Sequence, residues 1–350
     1  MKKILFIPVG GTICTALNDN GHLSINSNAG NLLIHYFETS GSFYAGKVNI
    51  DIKDNLNILS ENMTVECWNK IIKAYLTYTD TNNYDGIIFA HGTDTLAYSA
   101  SLFSMLLSGI NIPVFFVSAN ARPDKDGSNA NINFKCAVEC ICNNTEPNVY
   151  IAYQNPSDKK MYIHLASRLE QCKNYSEDFF SFGMTDITER EYNPTGFSFN
   201  NDKKPCQIEN NPPLISSFNN KQLKQCVLMI EPYVGIDYNT YNYEMFDAIL
   251  HTSYHSNTVC TNADFSNSVI HMLNKCNNSK SKPDVYFSPM KFDGEIYDSL
   301  DILESNNITA LYGLTKETAY AKLLIAYSLF NSKNEIITFL ETELNHEYIL

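Results

Sequence analysis

Short apolar runs at residues 3–9, 48–52, 86–90, 113–118 and 149–152 alternate with longer stretches of helical periodicity at 64–78, 95–107 and 131–142. That alternation is the signature of βαβ units wound into a largely parallel sheet. The stretch 64–78 shows it at residue level: Thr64 stands ahead of Val65-Glu66 as a helix cap, and Cys67, Ile71 and Tyr75 recur at helical spacing. Beyond residue 222 the pattern resumes, with strand runs at 227–230, 248–251 and 285–287 and helical stretches at 267–274, 315–329 and 335–344. Between the two regions, periodicity dissolves into Asn, Pro, Lys and Ser around Asn211-Pro212-Pro213. The expectation is an α/β protein of two α/β domains. Residues 1–200 would form a larger N-terminal domain with a mostly parallel sheet and flanking helices, 201–222 a linker, and 223–350 a smaller C-terminal α/β domain. No internal repeat is evident.

With 350 residues, 44% of them hydrophobic, the chain can fill two cores. Its net charge of −13 leaves no basic face for phosphates, so neither nucleic acid nor an anionic membrane is an expected partner. Met1-Lys2-Lys3 before Ile4-Leu5-Phe6-Ile7 has the look of a leader, but the apolar run breaks at Pro8 and Gly10-Gly11, so it reads as a first buried strand. No run approaches the roughly 18 apolar residues of a membrane span. The ten cysteines lack zinc-site or disulfide-framework spacing, so no metal is expected and a reducing cytoplasm is the simplest location. Cys136, Cys140 and Cys142 fall in an apolar helical stretch and read as buried thiols.

Two junctions carry the chemistry. Gly10-Gly11-Thr12 follows the first apolar run, and His91-Gly92-Thr93-Asp94-Thr95 follows a later one. Each places a threonine hydroxyl at the carboxyl end of a strand, the edge where open α/β sheets bind small molecules. The adjacent glycines let a substrate approach backbone N–H groups, so each junction offers a nucleophile together with oxyanion donors. The pairing implies acyl transfer; a Gly-Thr pair alone is also a common plain turn.

These segments resemble the two signatures of the asparaginase/glutaminase family of amidohydrolases, here Gly10-Gly11-Thr12-Ile13 and His91-Gly92-Thr93-Asp94-Thr95-Leu96-Ala97-Tyr98-Ser99-Ala100. Further similarities run along most of the chain. Ser60-Glu61-Asn62-Met63-Thr64 is similar to the family's substrate loop, Ser118-Ala119-Asn120-Ala121-Arg122-Pro123 to its Thr-Gly-Ser-x-Arg-Pro segment, and Thr315 to Leu323 to its C-terminal helix.

The resemblance implies hydrolysis of L-asparagine to L-aspartate and ammonia through an acyl-threonine, with no cofactor. The implied catalytic residues are Thr12, Thr93, Asp94 and Lys173, and the order in which the threonines attack is open. A threonine hydroxyl needs a neighbouring base to attack, and a lysine held by a carboxylate supplies one. Lys173 has the family's spacing to Asp178 and Phe182, with Lys159 and Lys160 as alternatives; gapless counting from Arg168 puts Gln171 or Cys172 at the lysine's place. Substrate would be bound by Gly11, Ser60, Glu61, Gly92, Asp94, Ser118 and Ala119, the carboxylates of Asp94 and Glu61 meeting the α-ammonium. Glu61 stands where the family more often has a neutral residue.

Many relatives place a tyrosine in the loop after the first threonine. Residues 14–27 contain none, leaving His22 and Ser24 as the groups that could assist. Tyr254-His255-Ser256-Asn257-Thr258 and Glu295 are similar to segments that complete a neighbouring subunit's site, which implies a homodimer or homotetramer. Glutaminase or other amidase activity on the same scaffold, and a catalytically silent amino-acid binder, are the rival readings. An amidase subunit feeding a transferase would be expected to carry a basic tRNA-recognition region.

Overall fold

The computed structural model describes residues 1–17, 23–25, 29–53, 55–80, 83–182, 185–186, 213–291 and 308–349. They divide into two compact units, Met1–Asn220 and Lys221–Leu350.

In the first unit the strands are β1 (Lys2–Pro8), β2 (Thr15–Leu17), β3 (Leu23–Ile25), β4 (Val48–Ile52), β5 (Gly86–Ala90), β6 (Val114–Val117), β7 (Val149–Gln154), β8 (Met161–Leu165), β9 (Leu169–Glu170), β10 (Phe180–Ser181) and β11 (Thr185–Asp186). The helices are α1 (Ala29–Glu38), α2 (Val65–Thr79), α3 (Leu96–Leu106) and α4 (Ala130–Cys142). The main sheet runs β11-β8-β7-β6-β5-β1-β4. Strands β4, β1, β5, β6 and β7 are parallel, and β8 and β11 add antiparallel pairings at one edge. β5 and β6 are buried at every position, as strands covered on both faces must be.

On one face α1 and α4 pack against Phe6, Ile88, Phe115 and Tyr150, and the thiols of Cys136, Cys140 and Cys142 are buried there as expected. α2 starts at its expected cap: Thr64 accepts the Cys67 N–H, and Val65, Trp68, Ile71, Ile72 and Tyr75 form its buried stripe. The Trp68 indole N–H donates to Ser99 Oγ at 2.8 Å and ties α2 to α3. α3 is buried at almost every position, so its sequence shows little amphipathic contrast.

Besides the short β2, β3, β9, β10 and β11, three elements escaped the sequence pattern. α1 follows a polar Asn-rich stretch; β8 is a short antiparallel return after Lys159, whose φ is 60°; and Thr309–Tyr312 forms a strand in the second unit. Of the expected linker, 201–212 lie outside the described residues, while Leu214–Asn219 forms a 3₁₀ segment packed on α2 and α3.

The second unit has a parallel sheet of β12 (Val227–Ile230), β13 (Ala248–His251), β14 (Asp284–Met290) and β15 (Thr309–Tyr312) in that order. Its helices are α5 (Val269–Asn278), α6 (Lys316–Leu329) and α7 (Lys333–Glu341). Ser268, Thr315 and Ser332 cap them through side-chain oxygens, which fixes each start. The Lys322 ammonium on α6 is fully buried against Glu347 at 2.7 Å, and it also donates to Thr342 O at 2.7 Å. Burial pulls the Lys322 pKa down while Glu347 opposes that shift. No helix among the described residues is long and apolar enough to cross a membrane.

Candidate active site

β1 lies between β4 and β5, so the chain leaves β1 to one side and later returns to the other. At such a reversal a crevice opens outside the carboxyl ends of the two strands. Gly10-Gly11-Thr12 leaves β1 there, and His91-Gly92-Thr93-Asp94 leaves β5 beside it. The Val9 and Gly10 N–H groups donate to Ala90 O at 2.8 and 3.2 Å, and Gly11 N–H donates to Ile58 O at 3.2 Å.

Gly11 has φ 74° and ψ −177°, a region open essentially to glycine alone. A Cβ on it would lie 2.1 Å from Gly92 Cα, and one on Gly92 would lie 2.4 Å from Ser60 Oγ. The two turns therefore touch backbone to backbone. Thr12 and Thr93 each follow one of the touching glycines.

The segment Ser60–Asn62 closes on this contact. Buried Ser60 donates its hydroxyl to Asp94 Oδ2 at 2.9 Å and accepts the Asp94 N–H at 3.4 Å. Thr95 Oγ1 donates to Ser60 O at 3.0 Å, so the Asp94 turn is held from both sides. Glu61, next in sequence, is exposed and outside the cavity described below.

A cavity of about 380 Å³ opens against Thr93 and Asp94. Its remaining wall is Asn120, Tyr153, residues 171–174, Ser176 and Glu177. Asn120 Nδ2 donates to Glu177 Oε2 at 3.2 Å, and the Tyr153 hydroxyl donates to Glu177 O at 2.9 Å. With Asp94 and Glu177 set against Lys173, the wall carries a net negative charge that suits an ammonium group.

Lys173 lines this cavity but is exposed, and among the described residues it makes no ion pair or side-chain hydrogen bond with Asp94. Gln171 is the residue that reaches the Thr93 turn: Nε2 donates to Thr93 O at 2.7 Å, and Oε1 accepts the Ala97 N–H at 3.2 Å. Lys159 donates its backbone N–H to Asn155 O in the turn before β8, and Lys160 N–H donates to Asp158 Oδ1; neither lysine lines the cavity. The Cys172 thiol donates to Ser176 O at 2.7 Å. Burial, and then the charges of Asp178, Glu177 and Asp94, push its pKa up, so it stays protonated.

Ser118 and Ala119 are buried at the end of β6 rather than in the cavity wall, where Asn120 takes the place expected of them. Ser118 O is held by Asn133 Nδ2 at 2.9 Å. Thr12, Gly11 and Gly92 also stand outside that wall. Buried His91, first residue of the second signature, bonds Gly92 O through Nδ1 at 2.8 Å. Burial pushes its pKa down to about 4, so the neutral imidazole props the turn instead of carrying protons near neutrality.

His22 and Glu295 lie outside the described residues, and Ser24 lies on β3. In the second unit His255 is exposed and its carbonyl accepts the Lys291 ammonium at 2.7 Å. Asn257 brackets the Lys291 backbone through both side-chain atoms. Sequence reading missed Tyr153 and Glu177 as wall residues. Asn120 was legible as part of the segment after β6, and Gln171 through the spacing count from Arg168.

The family description Asparaginase, N-terminal, matches residues 3–199. A glutamyl-tRNA(Gln) amidotransferase component from Methanosphaera stadtmanae is 28% identical over 311 residues, 85% of this chain and 67% of that protein. Its namesake from Haloquadratum walsbyi is 28% identical over 204 residues, 58% of this chain and 45% of its own length. The chain thus spans less than half of that second relative. Among solved structures, the thermostable L-asparaginase from Thermococcus kodakarensis superposes with TM-score 0.74 at 22% identity, covering 99% of both chains. L-asparaginase I from Vibrio cholerae gives 0.72 at 19% identity over 100% and 99%. At these identities the superpositions speak to the fold.

Proposed function

The chain belongs to the asparaginase family, and from that premise we propose that it hydrolyses L-asparagine to L-aspartate and ammonia. The reading is supported above all by the Gly11–Gly92 backbone contact, which brings two threonine-bearing turns together beside an Asp94 carboxylate fixed by Ser60. In this reading Thr12 Oγ adds to the side-chain carbonyl carbon and its proton passes to the group of Thr93, Asp94 and Lys173, with Thr93 as the alternative or second nucleophile. Backbone N–H groups beside the glycines take up the oxyanion. The C–N bond breaks as the nitrogen accepts a proton and leaves as ammonia. Water then cleaves the threonyl ester, giving aspartate and restoring the hydroxyl. Asp94 receives the substrate's α-ammonium. The active form is a homodimer or homotetramer in the cytoplasm.

Ammonia release from L-asparagine, L-glutamine and their D-forms by the purified protein tests this. Turnover of L-asparagine above the other three is the expected result, and turnover of glutamine alone replaces it with the glutaminase alternative. The glutamyl-tRNA(Gln) amidotransferase relatives make that arm of the assay necessary.

One observation favours a second reading. The ammonium expected to serve Thr93 is exposed and unbonded to Asp94, while a neutral amide, Gln171, contacts the Thr93 turn. A site without a seated base would bind an amino acid and turn it over slowly or not at all. Calorimetric binding of L-asparagine with no ammonia released identifies that case.

A further inference from the structure

Thr93 and Asp94 lie just ahead of α3, a helix whose start lacks the usual side-chain cap. Its N-cap residue Thr95 makes no side-chain capping bond to the helix, because its hydroxyl is turned to Ser60 O at 3.0 Å. The first N–H groups of a helix need acceptors from elsewhere. Ala97 finds one on another segment: Gln171 Oε1 accepts its N–H at 3.2 Å, while Nε2 of the same side chain donates to Thr93 O at 2.7 Å. One planar amide thus joins the carbonyl of the reacting residue to the second residue of the helix.

We infer that Gln171 is a positioning residue that caps α3 from outside the helix and thereby sets the Thr93 hydroxyl relative to the cavity. A neutral amide does both jobs at any pH, since one of its atoms donates and the other accepts. Asp94 is anchored separately by Ser60, so ammonium binding does not depend on this bridge. Loss of the bridge acts on the reaction step more than on affinity. For the turnover readout, the inference rests on the amidohydrolase reading.

The test uses Gln171→Leu, which removes both bonds, and Gln171→Glu, which keeps the acceptor for Ala97 but sets an anionic oxygen against Thr93 O. In Gln171→Leu, kcat for ammonia release falls by about 10-fold or more while KM stays within about 3-fold, because a misplaced reacting group costs rate far more than binding. In Gln171→Glu, kcat is low at pH 8 and recovers toward pH 5, because the protonated carboxyl regains an O–H to give to Thr93 O. A residue that merely supports the fold would leave the shape of the pH profile unchanged. A Gln171→Leu kcat within about 2-fold of the parent, or a Gln171→Glu profile parallel to the parent's, overturns the inference. Should Gln171→Leu not fold, the pH profile of Gln171→Glu decides alone. Should the parent protein release no ammonia from any of the four amides, the functional reading has failed, and the bridge is then read from amide exchange at Ala97. At least about 10-fold faster exchange in Gln171→Leu than in the parent, or in Gln171→Ala if the leucine variant does not fold, supports it; no difference overturns it.

Discussion

Replacing Gly11 by alanine is the sharpest perturbation the site offers, because it adds one methyl group where two backbones meet. Two costs combine. At φ 74° and ψ −177° the backbone is one that a side chain makes unfavourable by about 1–3 kcal/mol. The added carbon would also lie 2.1 Å from Gly92 Cα and 2.4 Å from Gly92 N. Carbon atoms rest about 3.5–4.0 Å apart, so the turns must separate by roughly 1.5 Å, and overpacking of this kind costs about 1–3 kcal/mol more. A total near 4 kcal/mol lowers the melting temperature of a unit of this size by about 10 °C. Gly41 is the matched control: its φ is 73°, yet a Cβ there meets nothing within 4 Å. Gly41→Ala should therefore show only backbone strain, about 1 kcal/mol and a few degrees. Calorimetric melts of the two variants beside the parent, with ammonia-release kinetics, make the comparison. Gly11→Ala should also lose about 100-fold or more in turnover, since a shift near 1 Å between reacting groups has that effect. A Gly11→Ala protein that melts with Gly41→Ala and turns over normally would refute the claim that the two turns are in contact.

Ser60→Ala removes a hydrogen bond to a carboxylate, worth about 1.5–3 kcal/mol, so L-aspartate affinity by calorimetry should fall about 10- to 100-fold; an unchanged affinity would remove Asp94 from ammonium binding. His91 and His164 are held neutral by burial, with pKa values down to about 4 and about 3 against 6.5. The unfolded chain therefore takes up protons first. Their stabilisation is complete above about pH 6.5 and is lost as pH falls toward 4, at about 1.4 kcal/mol per pH unit for each histidine. Urea midpoints at pH 7 and pH 5 should differ accordingly, and equal midpoints would contradict the burial of both rings. Lys322→Met leaves Glu347 charged and buried without its partner, a loss of about 3–5 kcal/mol, whereas Lys322→Met with Glu347→Leu should recover much of it. Equal melting of the single and double variants would show that the pair is not coupled.

How much could be read in advance follows from which forces are local. Strands β1, β5, β6 and β7 were legible because each is a short apolar run beside helical stretches, and the sheet buries those runs on both faces. The helix start at Thr64 was legible because an oxygen side chain stands directly ahead of a stretch with helical spacing. α1 and β8 were missed because their stability comes from packing on α4 and pairing with β7, which no local pattern records. In the site, glycine before threonine at two strand ends marked the turns correctly. Ser118 and Ala119 are buried at the end of β6 while Asn120 faces the cavity, because the sequence does not say where a strand stops burying its side chains.

The order of amino acids alone determined the alternating α/β architecture, the two threonine turns and the acidic character of the protein, since each depends on composition or on neighbours along the chain. Only the tertiary structure decided that Gly11 rests on Gly92, that Ser60 holds Asp94, and that Gln171 rather than Lys173 contacts the Thr93 turn. Those contacts join residues dozens of positions apart. They are fixed by the closing of strands and loops around a common centre, where a displacement of an ångström changes which side chain meets which.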